Sequence, residues 1–181
     1  RRYEVGERPY SIALGDLNND GLLDIATATS SSDDISILTA LPGGSFSNQI
    51  SYKVGDNPKS VALGDLNKDG LIDIVTANYY SNDISILMAL PRGGYAEQIR
   101  YGVGSNPASV ALGNLNNDGL LDIVVANSNS GSVSILTALP GGGYAGEIRQ
   151  GVGWGPQSVA LGDLNKDGLL DIVAANGPGD D

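Results

Sequence analysis

Cysteine and histidine are both absent from this chain of 181 residues. Disulfides, thiolate nucleophiles, imidazole bases and the usual zinc and copper ligands are therefore excluded. No apolar run approaches the ~18 residues that a bilayer-spanning helix needs, so we expect no membrane span. Only ten lysines and arginines stand against 21 acids, and the net charge is −11. Nucleic acid is not expected as a partner, because phosphate backbones are held by clustered positive charge.

What the chain does contain is a repeat of constant length. An Asp-Leu-Asn or Asn-Leu-Asn triplet recurs every 49 residues, at Asp16, Asp65, Asn114 and Asp163. Such a period is typical of propellers and tandem arrays, in which each unit buries its apolar face against a neighbour. Residues 1–181 thus form one repeat array, which we divide into 1–6, repeat 1 (7–55), repeat 2 (56–104), repeat 3 (105–153) and a partial repeat 4 (154–181).

The segments inside a repeat have the pattern of β-strands. In repeat 2, residues 60–64, 73–77 and 83–88 are short, rich in β-formers and bounded by turn residues, and a fourth strand is expected over about 95–103. The chain is therefore predicted to be all-β. It would form β-propeller-type blades with four antiparallel strands per 49-residue repeat, three full repeats and partial blades at both ends.

Two finer expectations concern the outer strand of each blade. Residues 1–6 match the end of an outer strand. The aromatic residues that recur in phase are also expected on that strand, where blades splay apart, namely Phe46, Tyr95 and Tyr144.

An acidic loop lies between the first and second strand of every repeat. Its pattern is Asp-x-Asn-x-Asp-Gly-x-x-Asp, in which oxygen ligands at positions 1, 3 and 5 point into a tight turn that Gly permits. Position 7 would add a backbone carbonyl and position 9 another carboxylate. The predicted ligands are Asp16, Asn18, Asp20, Leu22 and Asp24; Asp65, Asn67, Asp69, Leu71 and Asp73; Asn114, Asn116, Asp118, Leu120 and Asp122; and Asp163, Asn165, Asp167, Leu169 and Asp171.

The charge balance favours a bound calcium ion in each loop. The four loops hold 11 of the 21 acids, which leaves ten acids to match the ten lysines and arginines. Like charges packed so closely need a cation, and about four Ca²⁺ would bring the net charge to about −3. The alternative is that the loops are plain Asx-turns. An EF-hand is rejected, because position 12 lacks the bidentate Glu and strands follow the loop.

The run from Pro58 to Asn78, repeated from Pro156 to Asn176, resembles the FG-GAP or VCBS repeat. This family includes the β-propeller of integrin α subunits and many bacterial surface proteins. The resemblance implies a propeller with calcium between the inner strands and a role in extracellular adhesion or ligand binding. Asn114 departs from the pattern, because it replaces the first Asp of the loop.

Repeat 4 breaks off after its second strand, so that strand would carry an unpaired edge. We expect it to be covered by more chain, by a second copy, or by a partner strand that completes the blade. Self-association or chain continuation is therefore expected, and an open head-to-tail array would be a fibril.

The function expected from these features is that of a non-catalytic, calcium-stabilised repeat protein with a structural, adhesive or assembly role, outside the cell or on its surface. It would be a unit of a fibril or of a long surface protein that neighbouring strands complete. The alternative is a carbohydrate-binding propeller lectin, with Tyr79, Tyr80 and Trp154 as stacking residues for a glycan; a protein ligand is also considered. An enzyme is not expected, since acids outside the loops such as Glu97 and Glu147 show no pairing.

Overall fold

The computed structural model describes residues 1–177, and residues 178–181, part of the expected fourth repeat, lie outside the described residues. All regular secondary structure in the described range is β. Residues 1–177 contain no helix that could span a bilayer.

Each of the first three repeats folds into one antiparallel sheet of four main strands, and the fourth contributes two strands. Blade 1 consists of β1 (Pro9–Gly15), β2 (Asp24–Thr29), β3 (Asp34–Leu38), the short β4 (Ala40–Leu41) and β5 (Ser45–Phe46), and β6 (Ile50–Lys53). Blade 2 consists of β7 (Pro58–Gly64), β8 (Asp73–Asn78), β9 (Asp83–Leu87) and β10 (Ile99–Gly102). Blade 3 consists of β11 (Pro107–Gly113), β12 (Asp122–Asn127), β13 (Ser132–Leu136) and β14 (Ile148–Gly151), and blade 4 of β15 (Pro156–Gly162) and β16 (Asp171–Asn176).

The position of each strand in its sheet follows from its composition. Among the second strands, β8 and β12 are buried along their whole length because each lies inside its sheet with a blade on both faces. The first strands alternate small and larger apolar residues. Their pairing is shifted by a β-bulge just after the leading proline, which lacks the amide that a regular ladder would use.

Successive blades pack face to face around a common axis. The first strands β1, β7, β11 and β15 lie side by side and so line that axis. Three apolar clusters fill the spaces between blades; in one of them Val61 of blade 2 packs against Ala26, Ala28 and Ile35 of blade 1. The all-β, propeller-type prediction is confirmed.

The expected strand at residues 1–6 is absent. By the 49-residue period these residues correspond to β6, which pairs with the third strand of its own blade, and the described residues contain no third strand of a preceding blade for them to join. Tyr3 nevertheless packs edge-on against Phe46, with ring centroids 5.3 Å apart.

The recurring aromatic residues do not lie on the outer strand as expected. Phe46 belongs to the small β4–β5 hairpin, and Tyr95 and Tyr144 form the equivalent single bridges in blades 2 and 3. Each packs edge-to-face against an aromatic residue one repeat earlier, and the pairs are Tyr3–Phe46, Tyr52–Tyr95 and Tyr101–Tyr144. The hairpin places each ring against an aromatic residue that precedes it by 43 positions, and edge-to-face pairs of this kind add to the packing between repeats.

Candidate functional site

The four acidic loops connect the first and second strand of each blade and share one backbone conformation. Position 4 has a positive φ in every loop, as does the glycine at position 6. The φ values are 59° for Asn19, 61° for Lys68, 59° for Asn117 and 63° for Lys166, and 84°, 83°, 84° and 89° for Gly21, Gly70, Gly119 and Gly168. A left-handed φ suits Gly and Asn and strains Lys. The turn is therefore imposed by the loop as a whole.

In the first loop the side-chain oxygens of positions 1, 3 and 5 accept bonds from amides of the same loop. Asp16 Oδ1 accepts from the Asp20 amide at 3.0 Å and Asp16 Oδ2 from the Gly21 amide at 2.8 Å. Asn18 Oδ1 accepts from the Asp20 amide at 2.9 Å, and Asp20 Oδ1 from the Leu22 amide at 2.8 Å. The loops therefore contain Asx-type turns, and these turns gather the oxygens of alternate residues on the inner side of the loop.

The acid at position 9 is held differently, at the start of the second strand. Asp24 is fully buried, and its oxygens accept from the amides of Leu17, at 3.0 Å, and Ala40, at 2.7 Å. Burial raises the pKa of the Asp24 carboxyl above its ordinary value, while these two amides oppose the rise. Burial likewise raises the pKa of Asp73, which accepts from Leu66 and Ala89.

The third loop differs because Asn114 replaces the first aspartate. In the other loops both oxygens at this position accept loop amides. The Asn114 amide oxygen is buried and has no hydrogen-bond partner within residues 1–177. A buried oxygen without a partner costs free energy, and a bound cation would satisfy it.

Within the described range, no group of three acidic side chains is close enough to hold a metal ion. The donor chemistry nevertheless fits a hard cation. Carboxylate and amide oxygens retain a second lone pair after accepting one amide. The carbonyl at position 7 belongs to Leu22, Leu71, Leu120 or Leu169, all of them in the loop turn. The ligand set stays a prediction that the donor types and the Asn114 oxygen support.

Neighbouring loops contact one another through the side chain at position 4. Asn19 Nδ2 donates to the Gly70 carbonyl at 3.2 Å, and Asn117 Nδ2 to the Gly168 carbonyl at 3.1 Å. Lys68 Nζ lies 2.9 Å from where a Cβ on Gly119 would be. The four loops therefore form a connected row on one face of the array.

The aromatic residues considered for stacking lie on the opposite face. Tyr80 and Trp154 are exposed to 67 % and 69 %, and Tyr79 packs edge-on against Tyr80 with centroids 5.3 Å apart. Trp154 stands apart, beside a cavity lined by Asn129 and Ser130 among others. The structure brings Tyr79 and Tyr80 together and leaves Trp154 separate from them.

Sequence reasoning missed two residues beside this pair, Tyr10 and Lys59. Tyr10, Lys59, Tyr79 and Tyr80 share a cavity of about 290 Å³. A signal was available: the residue between the constant Pro and Ser of each first strand varies, from Tyr10 to Lys59 to Ala108 to Gln157.

Comparison with solved structures shows the same fold. The chain aligns with BBS1N in complex with ARL6DN, soaked with lead, at 15 % identity and a TM-score of 0.63, over 96 % of this chain and 52 % of that one. The mercury-soaked form of that complex aligns at 17 % identity and a TM-score of 0.63, over 94 % of this chain and 49 % of that one. The periplasmic gluconolactonase PpgL of Pseudomonas aeruginosa aligns at 19 % identity and a TM-score of 0.54, over 92 % of this chain and 42 % of that one. The chain thus spans about half the length of these propeller structures, and identities this low establish the fold alone.

No curated protein matches the chain. The family model of the FG-GAP-like repeat matches it three times in overlapping windows, at residues 16–76, 65–125 and 114–174. Each window begins at position 1 of one acidic loop and extends into the second strand of the next blade. Because these matches cover most of the sequence, the chain belongs to the FG-GAP-like repeat family.

Proposed function

We propose that this chain is a non-catalytic, calcium-stabilised structural repeat protein that acts outside the cell and joins end to end with further copies of itself. One observation carries the proposal. The two outer faces of the array carry exposed large apolar side chains whose equivalents, 49 positions away, are buried or half-buried between blades.

The first of these faces, here called the start face, belongs to blade 1. Ile12, Leu14 and Leu23 are exposed to 63 %, 60 % and 61 %. The residues equivalent to Ile12 in the following blades are each only 7 % exposed, because the preceding blade covers them, namely Val61, Val110 and Val159. Three large apolar side chains on one surface are costly to leave in water, at roughly 1.5–3 kcal/mol for each that could be fully buried.

The opposite face, here called the end face, belongs to blade 4. Val173 is 44 % exposed, whereas its equivalents are fully buried, namely Ala26, Val75 and Val124. Leu164 is 69 % exposed, whereas of its equivalents Leu66 is buried and Leu17 and Leu115 are half-buried. Within the described residues β16 pairs with β15 alone, so its other edge is also open.

Polar groups on the two faces match as well. At each internal interface a serine of one first strand accepts from a valine amide of the next: Ser11 from Val61 at 3.3 Å, Ser60 from Val110 at 3.2 Å and Ser109 from Val159 at 3.3 Å. Ser158 occupies the same position on the end face, and the Ile12 amide is the corresponding donor on the start face. The end face of one copy therefore has the apolar surface and the acceptor that the start face of another requires.

A contact between end face and start face is heterologous, so it closes into a ring or continues as a filament. The neighbouring propellers are about twice the length of this chain, and two copies would supply a full ring. Further blades of the same polypeptide would cover these faces in the same way. A different protein with a matching face is another candidate partner, and it draws support from BBS1N, whose structure was determined in complex with ARL6DN.

The calcium part of the proposal rests on the donor set of the four loops and on the unpartnered Asn114 oxygen. Positions 1, 3, 5 and 9 and the carbonyl at position 7 would hold the ion. Position 12 is Thr27, Thr76, Val125 or Ala174, without the bidentate Glu of tight sites. Such sites suit calcium at about 10⁻³ M, the range of extracellular modules. An extracellular location follows from that affinity range.

The non-catalytic part is supported by the acids outside the loops. Glu147, one of the two candidates, pairs with Arg149 and accepts from Ser134, so it is engaged in a structural contact. The likeness to a gluconolactonase is a likeness of fold at 19 % identity.

The experiment that tests assembly is sedimentation of the chain over a range of concentrations in calcium. Wild type is expected to associate, and Leu14→Asp to remain a monomer, because a carboxylate would be buried against the end face. Leu90→Asp is the matched control, since Leu90 is 43 % exposed in a peripheral turn. A wild type that stays monomeric at the highest concentration, or equal association of both variants, would contradict the proposal.

A further inference from the structure

The start of the first strands forms a cavity on the face opposite the acidic loops. The variable residue of each Pro-x-Ser segment lines this cavity. The cavity has a volume of about 290 Å³. It is lined by the four variable residues and by two residues from the turn after β8, namely Tyr10, Lys59, Ala108, Gln157, Tyr79 and Tyr80. Four repeats thus contribute one residue each to a single cavity.

Lys59 stands at the centre of this group. Its Nζ lies 3.5 Å from the ring centroid of Tyr10 and 5.6 Å from that of Tyr79. Both distances are in the range in which an ammonium is attracted to an aromatic face. Across residues 1–177 the ion pairs are Arg100–Asp83 and Arg149–Glu147, so no carboxylate neutralises Lys59.

The aromatic rings around Lys59 are available to a ligand. Tyr10 is 62 % exposed and Tyr80 67 % exposed, so neither serves mainly to fill the core. The rings of Tyr79 and Tyr80 meet at 71°, which leaves ring faces turned in two directions. Gln157 adds an amide that both donates and accepts.

We propose that this cavity binds a carboxylated sugar residue, such as a uronic acid. The C–H face of a pyranose stacks on an exposed tyrosine ring, and its hydroxyls bond to the Gln157 amide and the tyrosine hydroxyls. The carboxylate accepts a charge-assisted bond from Lys59. The volume is at the lower end for ligand sites, which fits one sugar ring. A polyanion such as nucleic acid is disfavoured, because one lysine faces a strongly acidic chain. This proposal does not depend on calcium binding or assembly.

Two probes that differ only at the carboxylate test the proposal: methyl glucuronide and methyl glucoside. Titration calorimetry or saturation-transfer NMR with the full chain, at constant calcium, measures their affinities. Methyl glucuronide is expected to bind, and methyl glucoside to bind at least tenfold more weakly. Added salt should lower the affinity for methyl glucuronide and leave the affinity for methyl glucoside unchanged, because screening affects only the charged contact.

Variants assign the binding to this cavity. Lys59→Gln is expected to make the affinities for the two probes equal. Tyr80→Ala is expected to lower the affinity for both probes. Arg92→Gln is the matched control, because it removes one exposed positive charge far from the cavity and should change nothing. Thermal unfolding of each variant confirms the fold.

Three results would overturn the proposal. The first is no binding of methyl glucuronide at its highest soluble concentration. The second is equal affinity for the two probes, which would indicate a neutral-sugar site. The third is unchanged glucuronide binding in a folded Lys59→Gln variant, which would place the site elsewhere.

Discussion

Single residues in the acidic loops separate a metal site from a simple turn. Asp69 at position 5 accepts from the Leu71 amide at 2.8 Å and from Asn67 Nδ2 at 2.9 Å. These hydrogen bonds by themselves are those of an Asx-turn. The distinction lies in what the carboxylate contributes when calcium is present, because an ion that binds only the native state stabilises it.

We therefore expect Asp69→Ala to lower the melting temperature strongly in millimolar calcium and only slightly in chelator. Thermal unfolding under both conditions measures this. Asp56→Ala is the control, since Asp56 is an exposed acid outside the loops. The converse change, Asn114→Asp, should increase the stabilisation by calcium because it restores the first carboxylate. Equal losses for Asp69→Ala in calcium and chelator would identify the loop as a turn only.

Two half-buried tyrosines, Tyr95 and Tyr144, should titrate abnormally. Burial, and then the nearby acids Asp73 and Asp122, raise the pKa of Tyr95 and of Tyr144 respectively above the ordinary value of about 10. Their hydroxyls donate to the carbonyls of Ile72 and Leu121 at 3.0 and 3.1 Å. The unfolded chain loses these protons first as pH rises, so the free energy of unfolding should fall above about pH 10.

Absorbance of ionised tyrosine during alkaline titration measures this directly. We expect Tyr95 and Tyr144 to ionise only when the chain unfolds. The double variant Tyr95→Phe, Tyr144→Phe should show a smaller loss of stability above pH 10, at the cost of about 1 kcal/mol per lost hydrogen bond at neutral pH. Ionisation of Tyr95 and Tyr144 while the fold persists would contradict the assignment.

At the scale of single strands, the glycine that ends each first strand sets the distance between blades. A Cβ on Gly64 would lie 2.8 Å from Leu121 Cδ1 and 3.0 Å from Leu112 Cδ1 of the next blade. The same position in blade 4, Gly162, has nothing within 4 Å. Gly64 and Gly162 occupy equivalent positions in β7 and β15. The space around them differs because another blade packs on β7, whereas within the described residues none packs on the outer side of β15.

Gly64→Ala should destabilise the chain by roughly 1–3 kcal/mol, the usual cost of overpacking. Gly162→Ala should leave the stability of the single chain unchanged, and it should weaken self-association if Leu14 of another copy packs there. Urea unfolding and sedimentation measure the two effects. A large loss of stability for Gly162→Ala in a dilute monomer would show that the end face is already covered.

The strands themselves could be predicted from sequence because their signals are local. Alternation over 60–64, the Gly-rich turns and the period of 49 residues each depend on neighbours in the chain. The donor types of the loops could be predicted for the same reason. The aromatic pairs could not, since Tyr52 meets Tyr95 only when one blade packs on the next. The cavity around Lys59 likewise needs four repeats arranged around an axis.

For the whole molecule, charge opposes assembly. Each copy carries a net charge of −11, so two copies repel each other until that charge is screened or neutralised. The matching of the end and start faces is apolar and short-range, and it acts only after this long-range repulsion is reduced.

Self-association should therefore strengthen with salt even in chelator, and should strengthen further with millimolar calcium at constant ionic strength. Sedimentation in chelator at low and high sodium chloride, followed by calcium titration, separates the two effects. Magnesium at the same concentration is the control for divalent screening, because it fits these loops less well. Association that weakens as salt rises would indicate contacts between opposite charges instead of apolar faces.

At all three blade interfaces a valine amide of one first strand donates to the serine hydroxyl oxygen of the preceding first strand. Any blade can therefore follow any other, and insertion or removal of a whole unit creates no new kind of surface. The number of units is thus free to change by duplication or deletion in a single event, and both outer faces remain as they are. Natural selection can therefore change the number of repeats in such a chain without altering the fold of the repeats that remain.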